Sequence, residues 1–241
     1  MLKAALFDWG DTLLRFDFDE ALIGVGHRAG LDALGRDDLP AADALTRRFR
    51  ERYEPLLFVP GEVDEIDYAG IVQNCLDDLG IEVSDAELGR FLDAEHEAWK
   101  PARHLPGTTL SLLDALHDLG LTVGLVSNAF DPPQLLHRDL DELAVAERLE
   151  VAVFSSEIGK RKPHPAIFEC ALATLGVSPA ETLFVGDRLY EDVRGAGELG
   201  MTTVQALWFR ADDHADGGEP DFQAFTQFDV LNVARRLTHA T

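Results

Sequence analysis

The chain has 241 residues, 46% of them hydrophobic and 27% charged, which supports one sizeable core with room for an inserted smaller domain. Its 44 acidic residues against 21 basic ones give a formal charge of −23, which disfavours nucleic acid and anionic membranes as partners. No stretch approaches the roughly 18 apolar residues of a membrane span, and the N-terminus lacks a signal-peptide pattern. We therefore expect a cytoplasmic protein whose two cysteines, Cys75 and Cys170, stay as thiols.

Short apolar runs of strand length recur along the chain and predict a parallel sheet. Their apolarity is continuous rather than alternating, which is typical of strands covered by helices on both faces. Helical patterns separate the runs, and this alternation predicts an open α/β sheet with right-handed crossovers. The predicted strands cover residues 3–8, 121–127, 150–156, 182–187 and 202–208.

A long helical interval follows the first predicted strand. Four helical patterns precede the return to the core, and Ser84 with Glu87 forms a capping box that opens the last of them. An insertion of this size predicts a second small domain rather than a loop. Near the other end of the chain, residues 210–221 are polar and predict an exposed loop before the last helix. The four patterns span residues 19–34, 40–53, 64–79 and 84–99.

Polar side chains stand at the predicted carboxyl ends of the strands, where open α/β sheets bind ligands. Carboxylates gathered at one edge repel one another, and Mg²⁺, which prefers oxygen ligands, is the simplest cation to neutralise them. A nucleophilic carboxylate, a metal and a lysine around an anion are typical of phosphoryl transfer through an aspartyl-phosphate. The residues are Asp8, Ser127 with Asn128, Lys162, Asp187 and Asp192.

Four segments together resemble, in the right order, the motifs of the haloacid dehalogenase-like (HAD) superfamily. The resemblance covers nearly the full length and implies a Rossmann-like catalytic core, residues 1–15 and 101–241. The helical insertion, residues 16–100, matches the helical cap domain that closes over small-molecule substrates in that family. The segments are FDWGDTLL at 7–14, LVSNA at 125–129, GKRKPHPAIF at 159–168 and FVGDRLYEDVRGAGELGM at 184–201.

The resemblance implies a role for each residue that matches a motif. Asp8 would be the nucleophile, and Lys162 would neutralise the charge of the phosphate. Ser127 would bind the transferring phosphate, with Asn128 and Thr12 beside it. The implied function is that of a phosphatase acting on a small phosphorylated metabolite, with the oligomeric state left open.

The resemblance also implies a Mg²⁺ site. Its ligands would be Asp8, Asp187 and the backbone carbonyl of Gly10. Glycine can serve at position 10 because any residue there supplies a carbonyl. Asp192 would support the ion directly or through water. We expect the neighbouring Lys160 and Arg161 to face solvent and to soften the negative field around an incoming anion.

The first motif departs from the common phosphatase pattern of Asp, any residue, Asp, Gly, Thr. In that pattern the second Asp protonates the leaving group and then activates water. Here Gly10 occupies its position and Asp11 follows, while Thr12 stays in register. A general acid is typically worth roughly 10²–10⁴ in rate. Asp11 therefore either takes over the acid role or caps the chain that enters the helical insertion.

Three alternatives to ordinary monoester hydrolysis remain open. Substrates with good leaving groups, such as acyl or aryl phosphates, need little protonation. A metal-independent 2-haloacid dehalogenase would keep the nucleophile, but that group generally lacks the acidic fourth motif that Asp187 and Asp192 supply here. A catalytically silent binding protein of the same fold is the third. The intact acidic motif favours the phosphatase.

Overall fold

The computed structural model describes residues 1–57, 59, 61–209 and 217–239. Its centre is a sheet whose six strands are all parallel, and two short strands pair antiparallel beside it. The strands are β1 (Ala4–Phe7), β2 (Arg15–Phe16), β3 (Arg103–His104), β4 (Thr122–Ser127), β5 (Val151–Phe154), β6 (Thr182–Gly186), β7 (Thr202–Ala206) and β8 (Phe222–Ala224). The sheet order is β5-β4-β1-β6-β7-β8, and β2 pairs with β3.

The α-helices of the described residues alternate with the sheet strands, apart from a group of five that lies between β2 and β3. None of them is both long and apolar enough to cross a membrane. They are α1 (Ala21–Leu34), α2 (Ala42–Arg52), α3 (Glu54–Leu57), α4 (Tyr68–Asp77), α5 (Asp85–Ala98), α6 (Gly107–Asp118), α7 (Pro133–Glu142), α8 (Ser155–Ile158), α9 (Pro165–Leu175), α10 (Gly195–Glu198) and α11 (Gln227–His239).

The sheet is buried on both faces. Phe7 of β1 belongs to a hydrophobic cluster with residues of α6 and α11, such as Leu113 and Val230. Leu6, the preceding residue, belongs to a second cluster with Phe168 of α9, because successive side chains of a strand point to opposite faces. This double coverage explains the continuous apolar runs, and it confirms the predicted α/β class with a parallel sheet.

Helices α1, α2, α4 and α5 bury a hydrophobic cluster of their own, which includes Phe49, Leu76 and Phe91. Helix α5 begins at the predicted capping box, in which Ser84 and Glu87 exchange hydrogen bonds. The chain leaves the core through β2 and returns through β3. The exact limits of a separate cap domain remain a prediction.

The structure adds elements that the sequence patterns did not predict. Strand β8 lies at the edge of the sheet beside β7, directly after the segment interpreted as a polar loop. Residues 210–216 of that segment lie outside the described residues. A three-residue edge strand offers too few positions for a periodic pattern, and the two-residue strands β2 and β3 offer fewer still.

Candidate active site

The carboxyl ends of three neighbouring strands bring the predicted residues together. Because β4, β1 and β6 are adjacent in the sheet, Ser127, Asp8 and Asp187 lie at one edge. The backbone N–H of Asp8 donates to the carbonyl of Val185 at 2.9 Å, which ties the first-motif loop to β6. All three side chains are buried. The three polar side chains at these strand ends therefore lie at the carboxyl edge of the sheet and are largely shielded from solvent.

Lys162 joins two of the predicted carboxylates. Its Nζ donates to Oδ1 of Asp8 and to Oδ1 of Asp192, each at 2.6 Å. Burial alone would lower the pKa of this ammonium, but the charges of Asp192 and Asp8 outweigh it and raise the pKa above its ordinary value. Lys162 is therefore a buried, permanently charged group placed directly on the predicted nucleophile.

Asp8, Asp187 and Asp192 form an acidic cluster, in which one carboxylate oxygen of each lies within 4.8 Å of the others. Burial raises the pKa of Asp192 to about 6, with the charge of Lys162 acting against it and that of Asp8 adding to it. Lys162 supplies one positive charge against three carboxylates. A hard divalent cation such as Mg²⁺ fits this all-oxygen donor set.

Asp192 reaches the cluster because of the local backbone around it. It lies in a π-helical segment, Leu189–Arg194, and its Oδ2 accepts from the backbone N–H of Arg188 at 2.9 Å. A Cβ added at Gly186 would lie 2.3 Å from the carboxyl group of Asp192. Only glycine at the end of β6 leaves room for this approach.

Asn128 clamps the backbone of Lys162. Its Oδ1 accepts from the N–H of Lys162 at 2.7 Å, and its Nδ2 donates to the carbonyl of the same residue at 3.2 Å. The side-chain amide therefore orients the lysine that contacts Asp8. Sequence reasoning missed this contact, and the predicted phosphate-binding role of Asn128 stays a prediction.

The hydroxyl of Thr12 is buried near the same edge. Its Oγ1 makes no hydrogen bond with the part of the chain that the structure describes, whereas its carbonyl accepts from Trp208 Nε1 at 2.9 Å. Ser127 is the last residue of β4 and is also buried. The contact of both hydroxyls with an anion stays a prediction.

Asp11 is tied to the chain that leaves the core. Its backbone has a positive φ of 55°, and its Oδ1 accepts from the N–H of Phe16 in β2 at 3.3 Å. Asp11 is not part of the acidic cluster found among the described residues. A Cβ added at Gly10 would meet no described atom within 4 Å. There is therefore room for a Cβ at position 10.

The basic side chains near the acidic cluster have contacts that the sequence did not predict. Lys160 and Arg161 form ion pairs with Asp64 and Glu65 instead of only facing solvent. Arg188, which no motif reasoning singled out, follows Asp187 and lies 3.7 Å from Glu191. Burial alone would lower the pKa of Arg188, but Glu191 and the acidic cluster raise it.

A parallel sheet with a buried lysine and an acidic pocket at its carboxyl edge places the chain among the α/β enzymes of Rossmann-like type. The family model of haloacid dehalogenase-like hydrolases matches residues 2–200, and the chain belongs to that family. The predicted resemblance is thereby confirmed.

Two curated relatives match part of the chain. It is 36% identical over 125 residues to a glyceraldehyde 3-phosphate phosphatase of Methanopyrus kandleri, covering 51% of this chain and 53% of that protein. It is 34% identical over 129 residues to a phosphoglycolate phosphatase of Salmonella paratyphi A, covering 53% and 50%. The chain therefore matches about half the length of these relatives.

The fold is shared with solved structures over nearly the whole chain, and two of them serve as examples. A HAD phosphatase from Thermococcus onnurineus has a TM-score of 0.63 at 21% identity, covering 96% of this chain and 97% of that one. A 2-haloacid dehalogenase from Pseudomonas syringae has a TM-score of 0.69 at 22% identity, covering 98% and 100%. At these identities the likeness shows the fold alone.

Proposed function

We propose that this hydrolase is a Mg²⁺-dependent phosphatase of small phosphorylated metabolites that acts through an aspartyl-phosphate on Asp8. The observation that carries the proposal is the contact of Lys162 with both Asp8 and Asp192 inside an acidic cluster. The names of the two curated relatives support the same reaction class. The helical segment between β2 and β3 would serve as the cap over the substrate.

The reaction starts with the carboxylate of Asp8. One of its oxygens attacks phosphorus in line, the bond between phosphorus and the leaving oxygen breaks, and an aspartyl-phosphate forms. Lys162 balances the charge on the phosphate oxygens, and Ser127 and Thr12 donate hydrogen bonds to them. Water then attacks phosphorus, the bond between phosphorus and the Asp8 oxygen breaks, and inorganic phosphate leaves with the Asp8 carboxylate regenerated.

Asp8, Asp187 and Asp192, with the Gly10 carbonyl, would hold the metal. Bound Mg²⁺ would supply the positive charge that lets an anionic phosphate approach an acidic pocket. The proton for the leaving group has no donor at position 10. We propose that the substrate has a good leaving group or that Asp11 supplies the proton.

The acidic cluster favours the phosphatase over the dehalogenase, whereas only turnover distinguishes the phosphatase from a silent binding protein. A 2-haloacid dehalogenase releases halide without protonation and needs no metal, so it has no use for Asp187 and Asp192 as metal ligands. A silent binding protein would keep the cluster without turnover. The phosphatase gives a role to Lys162 and to each carboxylate of the acidic cluster.

The test is hydrolysis of an aryl phosphate by the purified chain with Mg²⁺, with a chelator, and in the variant Asp8→Asn. We expect turnover with Mg²⁺, none with chelator, and a loss of roughly 10³-fold or more in Asp8→Asn. Thermal unfolding of Asp8→Asn serves as the control for folding. Chelator-insensitive halide release from a 2-haloacid would instead identify a dehalogenase, and ligand-induced stabilisation without turnover would identify a binding protein.

A further inference from the structure

The loop that precedes Lys162 is paired with residues 63–65, which lie between α3 and α4 in the helical segment. Asp64 and Lys160 form an antiparallel bridge. The N–H of Glu65 donates to the carbonyl of Gly159 at 3.1 Å, and the N–H of Arg161 donates to the carbonyl of Val63 at 2.8 Å. We call residues 63–65 and 159–161 together the clasp.

Two ion pairs reinforce the clasp. Lys160 Nζ contacts Asp64 Oδ1, and both side chains are exposed, at 38% and 65%. Arg161 Nη1 lies 3.6 Å from Oε1 of Glu65, whose side chain is only 4% exposed. Exposed pairs contribute little individually, whereas a charge that loses its partner in a buried site is costly. The two ion pairs therefore help to orient the two chain segments that the backbone hydrogen bonds of the clasp connect.

The clasp ends one residue before the lysine that contacts Asp8. Asn128 holds the backbone of Lys162 from the side of the core, and the clasp holds the preceding residues from the side of the helical segment. The position of the Lys162 ammonium therefore depends on both parts of the chain. A displacement of about 1 Å in an active site can lower the rate by up to roughly 10²-fold.

We propose that Asp64 and Glu65 are positioning residues for Lys162, so that the contact of the clasp with the helical segment sets the lysine for phosphoryl transfer. This proposal rests on the proposed phosphatase function. The clasp acts on the lysine through the backbone of residues 159–161, without itself touching the phosphate. It should therefore affect kcat more than KM.

The experiment reverses and then restores the charges of the exposed pair. The variants are Asp64→Lys, Lys160→Asp and the double variant that carries both. The matched control is Lys3→Asp, because Lys3 also combines an ion pair to Glu181 with a backbone bond to the same residue, but at the amino end of β1. kcat and KM are measured with an aryl phosphate and Mg²⁺.

We expect each single reversal to lower kcat by roughly threefold to fivefold, with KM changed less than about twofold, given the size of exposed ion-pair effects. The double variant should recover to within about twofold of the wild type, and Lys3→Asp should behave as the wild type. Glu65→Gln keeps an oxygen acceptor beside the Ile66 amide but removes the charge near Arg161, so it should also lower kcat. A double variant no better than the singles, or an equal loss in Lys3→Asp, would overturn the proposal.

Hydrogen exchange separates this proposal from the proposed function. The amides of Glu65 and Arg161 should exchange faster in the single reversals than in the wild type and the double variant. If the wild type hydrolyses no phosphate, the phosphatase proposal fails, and the amide exchange rates alone then test whether the ion pairs hold the clasp together. Equal exchange of both amides in all variants would overturn the proposal that these ion pairs hold the clasp together.

Discussion

At the scale of single residues, position 10 governs how a leaving group is protonated. Gly10 offers no carboxyl, yet an added Cβ would meet no described atom within 4 Å. We expect Gly10→Asp to raise kcat on alkyl phosphates by roughly 10²-fold, the lower end of what a general acid supplies. Gly10→Asn, which has the same size but no acidic proton, is the matched control. An equal gain on aryl phosphates, or none on alkyl phosphates, would show that the missing acid is not the limitation.

Asp11 offers a second test at this scale. Its side chain accepts from Phe16 N–H, and its φ of 55° lies in the left-handed region that Asn also tolerates. We expect Asp11→Asn to keep kcat on alkyl phosphates within about twofold, because it preserves the acceptor and the backbone shape. Asp11→Ala loses both and should lower the free energy of unfolding by about 1 kcal/mol. Unchanged thermal unfolding with a large kcat loss in Asp11→Asn would assign the proton-transfer role to Asp11.

At the scale of elements, a buried histidine joins α5 to the core. His96 Nδ1 lies 2.8 Å from Oδ1 of Asp131, and its Nε2 lies 3.0 Å from Oδ2 of Asp139 in α7. Arg103 also bonds to Asp139 and borders the imidazole. Burial alone would lower the pKa of His96, but the hydrogen bonds to the two carboxylates outweigh it and raise the pKa. The contacts of His96 with Asp131 and Asp139, which join α5 to the core, are therefore stronger when His96 is charged.

This joint predicts a pH-dependent stability. A pKa raised in the folded state gives a contribution that is complete below the unfolded value of about 6.5 and is lost as pH rises through the folded pKa. We expect His96→Asn to lower the free energy of unfolding by about 3 kcal/mol at pH 6 and by less at pH 9. Denaturant unfolding at both pH values measures this. His137→Gln, which removes an exposed ion pair of α7 with Glu157, should change little, and a pH-independent loss in His96→Asn would contradict the assignment.

The start of a capped helix and the polar residues at the strand ends were predictable from sequence, whereas side-chain contacts between loops were not. Ser84 and Glu87 lie within one helical turn, so the start of α5 could be inferred directly. The strand ends likewise predicted the meeting of Asp8 with Lys162. The Asn128 clamp spans 34 residues and the Asp64–Lys160 pair spans 96. Such contacts depend on how the segments pack, which no spacing pattern encodes.

At the scale of the whole molecule, acidic charge is spread over the chain and is also concentrated in one buried cluster. The formal charge of −23 adds self-repulsion to the folded state. The acidic cluster places part of that charge in a buried pocket, where water screens it poorly. Monovalent salt relieves the general repulsion, whereas only a cation inside the pocket relieves the buried part. The two effects can therefore be separated by comparing ions at equal ionic strength.

Mg²⁺ is expected to raise the Tm of the wild type beyond the effect of NaCl at the same ionic strength. At a concentration 100 times Kd, binding to the folded state alone contributes about 2.7 kcal/mol, which corresponds to roughly 5–10 °C for a chain of this size. Asp187→Asn should abolish the difference between the two salts, because it removes a carboxylate of the cluster. The exposed Asp118 of α6 provides the control Asp118→Asn, which should keep it. The same Mg²⁺-specific shift in Asp187→Asn as in the wild type would place the metal outside this pocket.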